Sequence, residues 1–318
     1  MSEAVVALPR RKASKKWNKK QKDRIFIFLM LFLPTLQFIL FWIVPNFNSL
    51  VLAFKLPSSD SGGVSFVNFQ RFWKELTEPN SSLLYSIIDT LVYFLVTTLV
   101  NLPIVTFLSY VLFKKVPFAK AFRVIFYLPA ILGGTVTAAM YRYMVGTGGP
   151  VEKLLTALHI PFNAQLGLLG NPDTAFGMVL LYCLWTGVGL NMIMINGAIK
   201  RIPDEIFDSA KIDGVGFFRE FFQIVVPLIW PTLTTLLVLN MSGLFCTYMP
   251  IMLLTPNENK SSLIGWYIVR YTLAAGDSST NEVFNYPAAV GLIFTCVGLP
   301  LTLLVKGLCE RIFTDVEY

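Results

Sequence analysis

PDEIFDSAKIDGVGFFREFFQIVVP, Pro203 to Pro227, is a charged stretch in the middle of a chain that is otherwise mostly apolar. Ile206, Phe207 and Ala210 fall at i, i+1 and i+4, which gives a helix one apolar face, while Asp204, Glu205, Asp208, Lys211 and Asp213 occupy the rest. Pro203 suits a first turn, the two leading carboxylates sit at the positive end of the helix, and Gly214 is a stop signal. A helix this short and this charged cannot cross a bilayer. It lies outside and needs a surface to pack on, the plainest case being an amphipathic helix at the membrane interface.

The surroundings of this stretch read as membrane. Of 318 residues, 55% are apolar and only 14% charged, against about 25% charged in an average soluble domain. Backbone polar groups in lipid must pair internally, so the long uncharged runs predict one all-α bundle rather than separate soluble domains. Ile25 to Val44 reaches about 30 Å as a helix, the thickness of a bilayer core. No small-x-small cleavage site follows it, so it reads as a retained span. Five more spans are expected at about 84–113, 122–144, 175–199, 224–254 and 286–308. The domain reading is therefore a basic tail at 1–24, a first span with an external segment at 25–82, and a transmembrane domain at 83–312.

Charge sets the orientation. Nine of the 26 Lys and Arg lie in RRKASKKWNKKQKDR, Arg10 to Arg24, as expected of a lipid-facing cytoplasmic tail rather than a nucleic-acid site. With the N-terminus inside, 19 Lys and Arg fall on the inner side; Lys55, Arg71, Lys74, Arg142, Lys153, Lys260 and Arg270 are the seven outside. Six spans then place both termini and the loop 200–222 in the cytoplasm. Residues 55–82, 145–174 and 255–285, rich in Gly, Pro, Asn and Ser, read as external loops.

The chemistry that is absent narrows the function. Cys183, Cys246, Cys296 and Cys309 show no metal or disulfide spacing, and the one histidine, His159, falls in an external loop. Neither a metal nor a cofactor site is expected. Secondary transporters place ionisable groups within their spans, but here Asp89 and Arg142 lie near predicted span ends. No GxxxxGK[ST] loop occurs, so any ATP must be hydrolysed by another polypeptide and this chain is not expected to be an enzyme. The alternatives are a membrane scaffold whose cytoplasmic helix docks a partner and a self-sufficient secondary transporter.

Asp208-Ser209-Ala210, Gly214 four residues later, then Ile224 and Pro227 are similar to the E-A-A, G and I-x-x-P loop of permease subunits of bacterial ATP-binding-cassette importers. LFLPTLQFILFWIVPNFNSLVLAFK at 31–55, FYLPAILGGTVTAAMYRYMV at 126–145 and LWTGVGLNMIMINGAIKRIP at 184–203 resemble the sugar-importer branch, and within it the first permease of the maltose or glycerol-phosphate type. The resemblance implies the six-helix type I importer permease fold, with a coupling helix between spans four and five. It implies a bacterial cell membrane, a second related permease, cytoplasmic ATP-binding subunits, an external solute-binding protein and a sugar as solute; related branches carry amino acids or peptides. It assigns ATPase coupling to Glu205, Asp208, Ser209, Ala210, Asp213, Gly214, Ile224 and Pro227. Asp208-Ser209 departs from the family's Glu-Ala, keeping the carboxylate on a shorter stem.

The solute path should lie between spans. Trp185, Asn191, Asn240, Thr247 and Tyr248 are the candidates, because amides bond sugar hydroxyls and aromatic rings cover apolar sugar faces. Each could equally serve helix packing. Gly133, Gly134, Gly187, Gly189 and Gly243 read as close packing points.

Overall fold

The computed structural model describes residues 19–55, 63–160, 163, 165–255, 261–274 and 284–312; the first 18 residues of the basic tail lie outside this set. The helices in chain order are α1 (Lys19–Ala53), α2 (Val67–Thr77), α3 (Ser82–Phe113), α4 (Ala119–Ile131), α5 (Gly134–Val145), α6 (Pro150–Ala157) and α7 (Gly167–Gly170). They continue with α8 (Ala175–Ile199), α9 (Asp204–Ile212), α10 (Phe217–Leu228), α11 (Trp230–Cys246), α12 (Met249–Leu254), α13 (Ile264–Ala274) and α14 (Asn285–Ile312). Four of them, α1, α3, α8 and α14, are long and apolar enough to cross a membrane, and the count rises to six if the bent pairs α4 with α5 and α10 with α11 are each one span.

The chain divides into two compact units at Val51/Leu52. In the first, α1 is loosened into a π-turn at Ile39–Ile43. Pro45 has no N–H to continue the ladder and its ring crowds the preceding turn. The Asn46 side chain compensates, its Nδ2 donating to the Trp42 carbonyl at 2.7 Å.

In the second unit, α3 starts at the Ser81 cap, whose hydroxyl accepts from the amides of Leu83 and Leu84. It carries a π-turn at Leu95–Val100, shortly before Pro103. Helix α8 coincides with the expected fourth span.

The third and fifth spans are corrected by the structure. Residues 122–144 are not one helix: α4 ends at Ile131, Leu132 and Gly133 are extended, and the chain turns by 108°. Residues 224–254 are broken twice, by 68° beside Ile229, where Pro227 and Pro231 each remove a backbone donor, and again at Thr247 and Tyr248. The external segments, expected as loops, hold α2, α6, α7 and α13.

Of the five glycines expected at close contacts, two are. A Cβ on Gly187 would lie 2.6 Å from Asn101 Nδ2, and one on Gly189 would lie 2.6 Å from the Phe126 carbonyl oxygen. Gly133, Gly134 and Gly243 face open space. Gly133 and Gly134 mark the α4–α5 bend instead.

In this unit α2, α13 and α14 are tied by one carboxylate. Tyr267 and Tyr286 each donate a hydroxyl proton to Glu75, both at 2.5 Å, and the Arg71 guanidinium lies 4.1 Å from the Tyr286 ring centre. Burial, with the Glu75 bond next, pushes the Tyr267 hydroxyl far above its ordinary range, so it stays a donor.

Candidate coupling helix and solute path

Helix α9 forms where the sequence places it. It begins after Pro203, carries Asp204 and Glu205 in its first turn and Lys211 in its last. It ends in a Schellman turn: Val215 N–H donates to the Ala210 carbonyl at 2.9 Å, Gly214 N–H to Lys211 at 3.1 Å, and Gly214 takes φ +70°.

One face of α9 is locked into the bundle. Phe207 and Ala210 are buried and Ile206 half-buried, with the Phe207 ring 5.2 Å from Phe113 at the end of α3. The opposite face is open: Glu205, Asp208, Ser209, Asp213 and Gly214 are exposed. Asp208 pairs with Lys211 at 2.8 Å, which holds the Lys211 ammonium above its ordinary pKa, but both groups are in solvent and such a pair adds little stability.

Ile212, which the sequence reading passed over, is 87% exposed and lies one turn beyond Asp208 on this open face. An isoleucine left bare between carboxylates is the signal that could have singled it out. Ile224 and Pro227 sit elsewhere. Both are half-buried on α10, which carries a π-turn at Phe221–Val225 before Pro227, so they shape the return into the bundle rather than the open face of α9.

The path candidates separate into two groups. Trp185 and Tyr248 pack on one cluster with buried Tyr141, Tyr182 and Trp266, the Trp185 ring 6.3 Å from Tyr141 and 6.4 Å from Tyr182. Thr247 stands at the α11–α12 break, its hydroxyl on the Gly243 carbonyl at 3.0 Å. Asn191 is buried on α8 and Asn240 half-buried on α11, and neither belongs to the aromatic cluster.

Trp266 was missed because it lies in a segment read as a loop. Its indole N–H is buried without a partner among the described residues. The segment before it is held at depth by α3: Ser262 N–H donates to Asp89 Oδ2 at 3.1 Å and Ile264 N–H to Thr90 Oγ1 at 2.9 Å. Irregular backbone survives in such a place only when it is satisfied by protein. Asp89 is thus a brace within α3.

A groove of about 590 Å³, lined by Leu102, Phe107, Phe222, Trp230 and Leu237 among others, contains none of the path candidates.

The unit is thus a bundle of broken apolar helices that carries one short charged helix with one face buried and one face open, the build of a multi-pass membrane protein. The chain belongs to the family of binding-protein-dependent transport system inner membrane components, which it matches over residues 82–316. It is similar to the probable ABC transporter permease protein YurN of Bacillus subtilis, 25% identical over 290 residues, covering 89% of this chain and 95% of that protein. The arabinooligosaccharides transport system permease protein AraP of the same organism is 26% identical over 273 residues, 85% of this chain and 83% of its own. The maltose/maltodextrin permease MalF of Vibrio vulnificus is 29% identical over 73% of this chain and 45% of its own length. In fold it matches the crystal structure of a bacterial ABC transporter involved in import of the acidic polysaccharide alginate, with a TM-score of 0.78, 22% identity, and coverage of 92% of this chain and 98% of that one.

Proposed function

We propose that this chain is the non-catalytic permease subunit of a sugar or oligosaccharide importer, forming half of the translocation path. A second related permease completes the path, an external binding protein delivers the solute, and a separate cytoplasmic ATPase supplies the energy. The single observation that carries this reading is α9: Phe207 and Ala210 anchor it to the bundle while Glu205, Asp208 and Ile212 face outward. A helix anchored in this way passes a push on its open face to the spans. The sugar assignment draws on relatives named for arabinooligosaccharide and maltose transport and on the aromatic cluster around Trp185. Purification from the native host tests the whole reading, which expects an ATPase, a second permease and a solute-binding protein to accompany the chain.

The orientation proposed is cytoplasmic for both termini and for 200–222. Labelling single cysteines from outside should mark the exposed positions Val64, Trp73 and Leu273 and spare Ser209. The reverse pattern would overturn the six-span topology.

Asn240→Leu should lower oligosaccharide uptake about fivefold with assembly intact, the scale of one amide to hydroxyl hydrogen bond. Uptake of labelled maltodextrins and arabinooligosaccharides measures it. Unchanged uptake of both would return Asn240 to helix packing.

A further inference from the structure

Helix α9 is joined in sequence to α8 and α10, yet a second connection reaches it from α3. Lys114, the first residue after α3, forms an ion pair with Glu220 of α10. Its ammonium also lies 5.3 Å from the Phe207 ring of α9 and 5.6 Å from the Tyr110 ring of α3. Glu220 is 4% exposed, so its carboxylate has little access to water. A carboxylate so enclosed persists only because a cation is held beside it.

The local backbone agrees. The turn that carries Lys114 contains two non-glycine residues in the left-handed region, Lys115 at φ 56° and Phe118 at φ 61°. Such conformations persist where surrounding contacts dictate them. Tyr110 adds a further tie, its hydroxyl donating to the Phe217 carbonyl at 3.3 Å, and Phe113 touches Phe207.

We infer that Lys114 and Glu220 are positioning residues that make α9, the end of α3 and the start of α10 one rigid body. A displacement of α9 then moves spans two and five together, rather than passing through the Lys200–Pro203 linker to span four alone. The inference draws on the docking role proposed for α9 only for its consequence in transport.

The test uses the full chain in lipid nanodiscs, with the native cysteines replaced by alanine and spin labels at Ile104 on α3 and Ile212 on α9. Electron spin resonance reads the distance between them. A narrow distribution is expected in the parent and in Lys114→Arg, broadening about twofold in Lys114→Met and in Glu220→Gln, where the enclosed charge pair is lost. Glu220→Gln keeps the side chain's shape and decides alone if Lys114→Met does not insert. Narrow distributions in both neutral variants would overturn the inference, and so would a broad one in Lys114→Arg, since charge would then not be what holds the elements. Asp208→Lys should stay narrow with the same labels and, in the unlabelled chain, lose the ATPase on purification, so failure of the docking role and failure of the strut register separately.

Discussion

Asp208→Lys should leave a chain that inserts and folds as before but no longer retains its ATPase or transports. Among the described residues Asp208 pairs with Lys211, and both side chains are about two-thirds exposed, so the bundle loses almost nothing. On the open face of α9 it stands with Glu205 and Asp213, a carboxylate group suited to a basic cleft. Reversing one charge there replaces an attraction with a like-charge contact, costing about 3 kcal/mol, or about a hundredfold in affinity. Copurifying ATPase and oligosaccharide uptake should both fall to near background, while thermal stability of the chain stays within about 0.5 kcal/mol of the parent. Normal uptake with normal stimulated hydrolysis would mean that α9 is not the coupling element. Gly214→Val tests the same helix from its end: φ +70° strains a β-branched residue by about 1 to 2 kcal/mol, while Gly214→Asn should be tolerated. A Cβ at Gly214 meets nothing within 4 Å, so the cost is conformational.

The largest loss of stability is expected at Gly265, where α13 meets the α11–α12 break. A Cβ there would lie 2.5 Å from the Thr247 carbonyl oxygen and 2.8 Å from the carbonyl carbons of Cys246 and Thr247. All three are backbone atoms, so no side chain can swing aside. Gly265→Ala must push α13 from the break that presents Thr247 and Tyr248, and Gly265→Val must push it further. Overpacking of this kind costs about 3 kcal/mol or more for valine. At roughly 2 to 4 °C per kcal/mol for a chain of this size, Tm should fall by about 10 °C, with alanine intermediate. A thermal scan of the purified chain decides it: a parental Tm in Gly265→Ala would show that the backbones do not approach so closely.

What the sequence disclosed follows from how local each signal is. Helix α8 and the two ends of α9 were legible because an uncharged run, a first-turn proline with carboxylates and a glycine stop act within a few residues. The bends near Gly133 and Ile229 were hidden by the run of apolar residues through them, although the prolines and paired glycines were in view. Helix α2 was taken for loop because its amphipathic VNFQRFWKELT lies among turn-forming residues. The Glu75 ties to Tyr267 and Tyr286 span about two hundred residues, and the Lys114–Glu220 pair about one hundred. No periodicity carries such contacts. Trp266 escapes a sequence reading for the same reason, since the bonds from Ser262 and Ile264 to Asp89 and Thr90 on a distant helix are what bury its segment.

The central claim is that the open face of α9 is a docking surface for a cytoplasmic ATPase. A photo-activated cross-linking residue at Ser209, illuminated in membranes of the native host, tests it most directly. One dominant adduct, with an ATP-binding subunit, is expected from Ser209, and none from the same probe at Phe66, in the segment proposed to lie outside. An adduct with that subunit from Phe66, or only lipid adducts from Ser209, would contradict it.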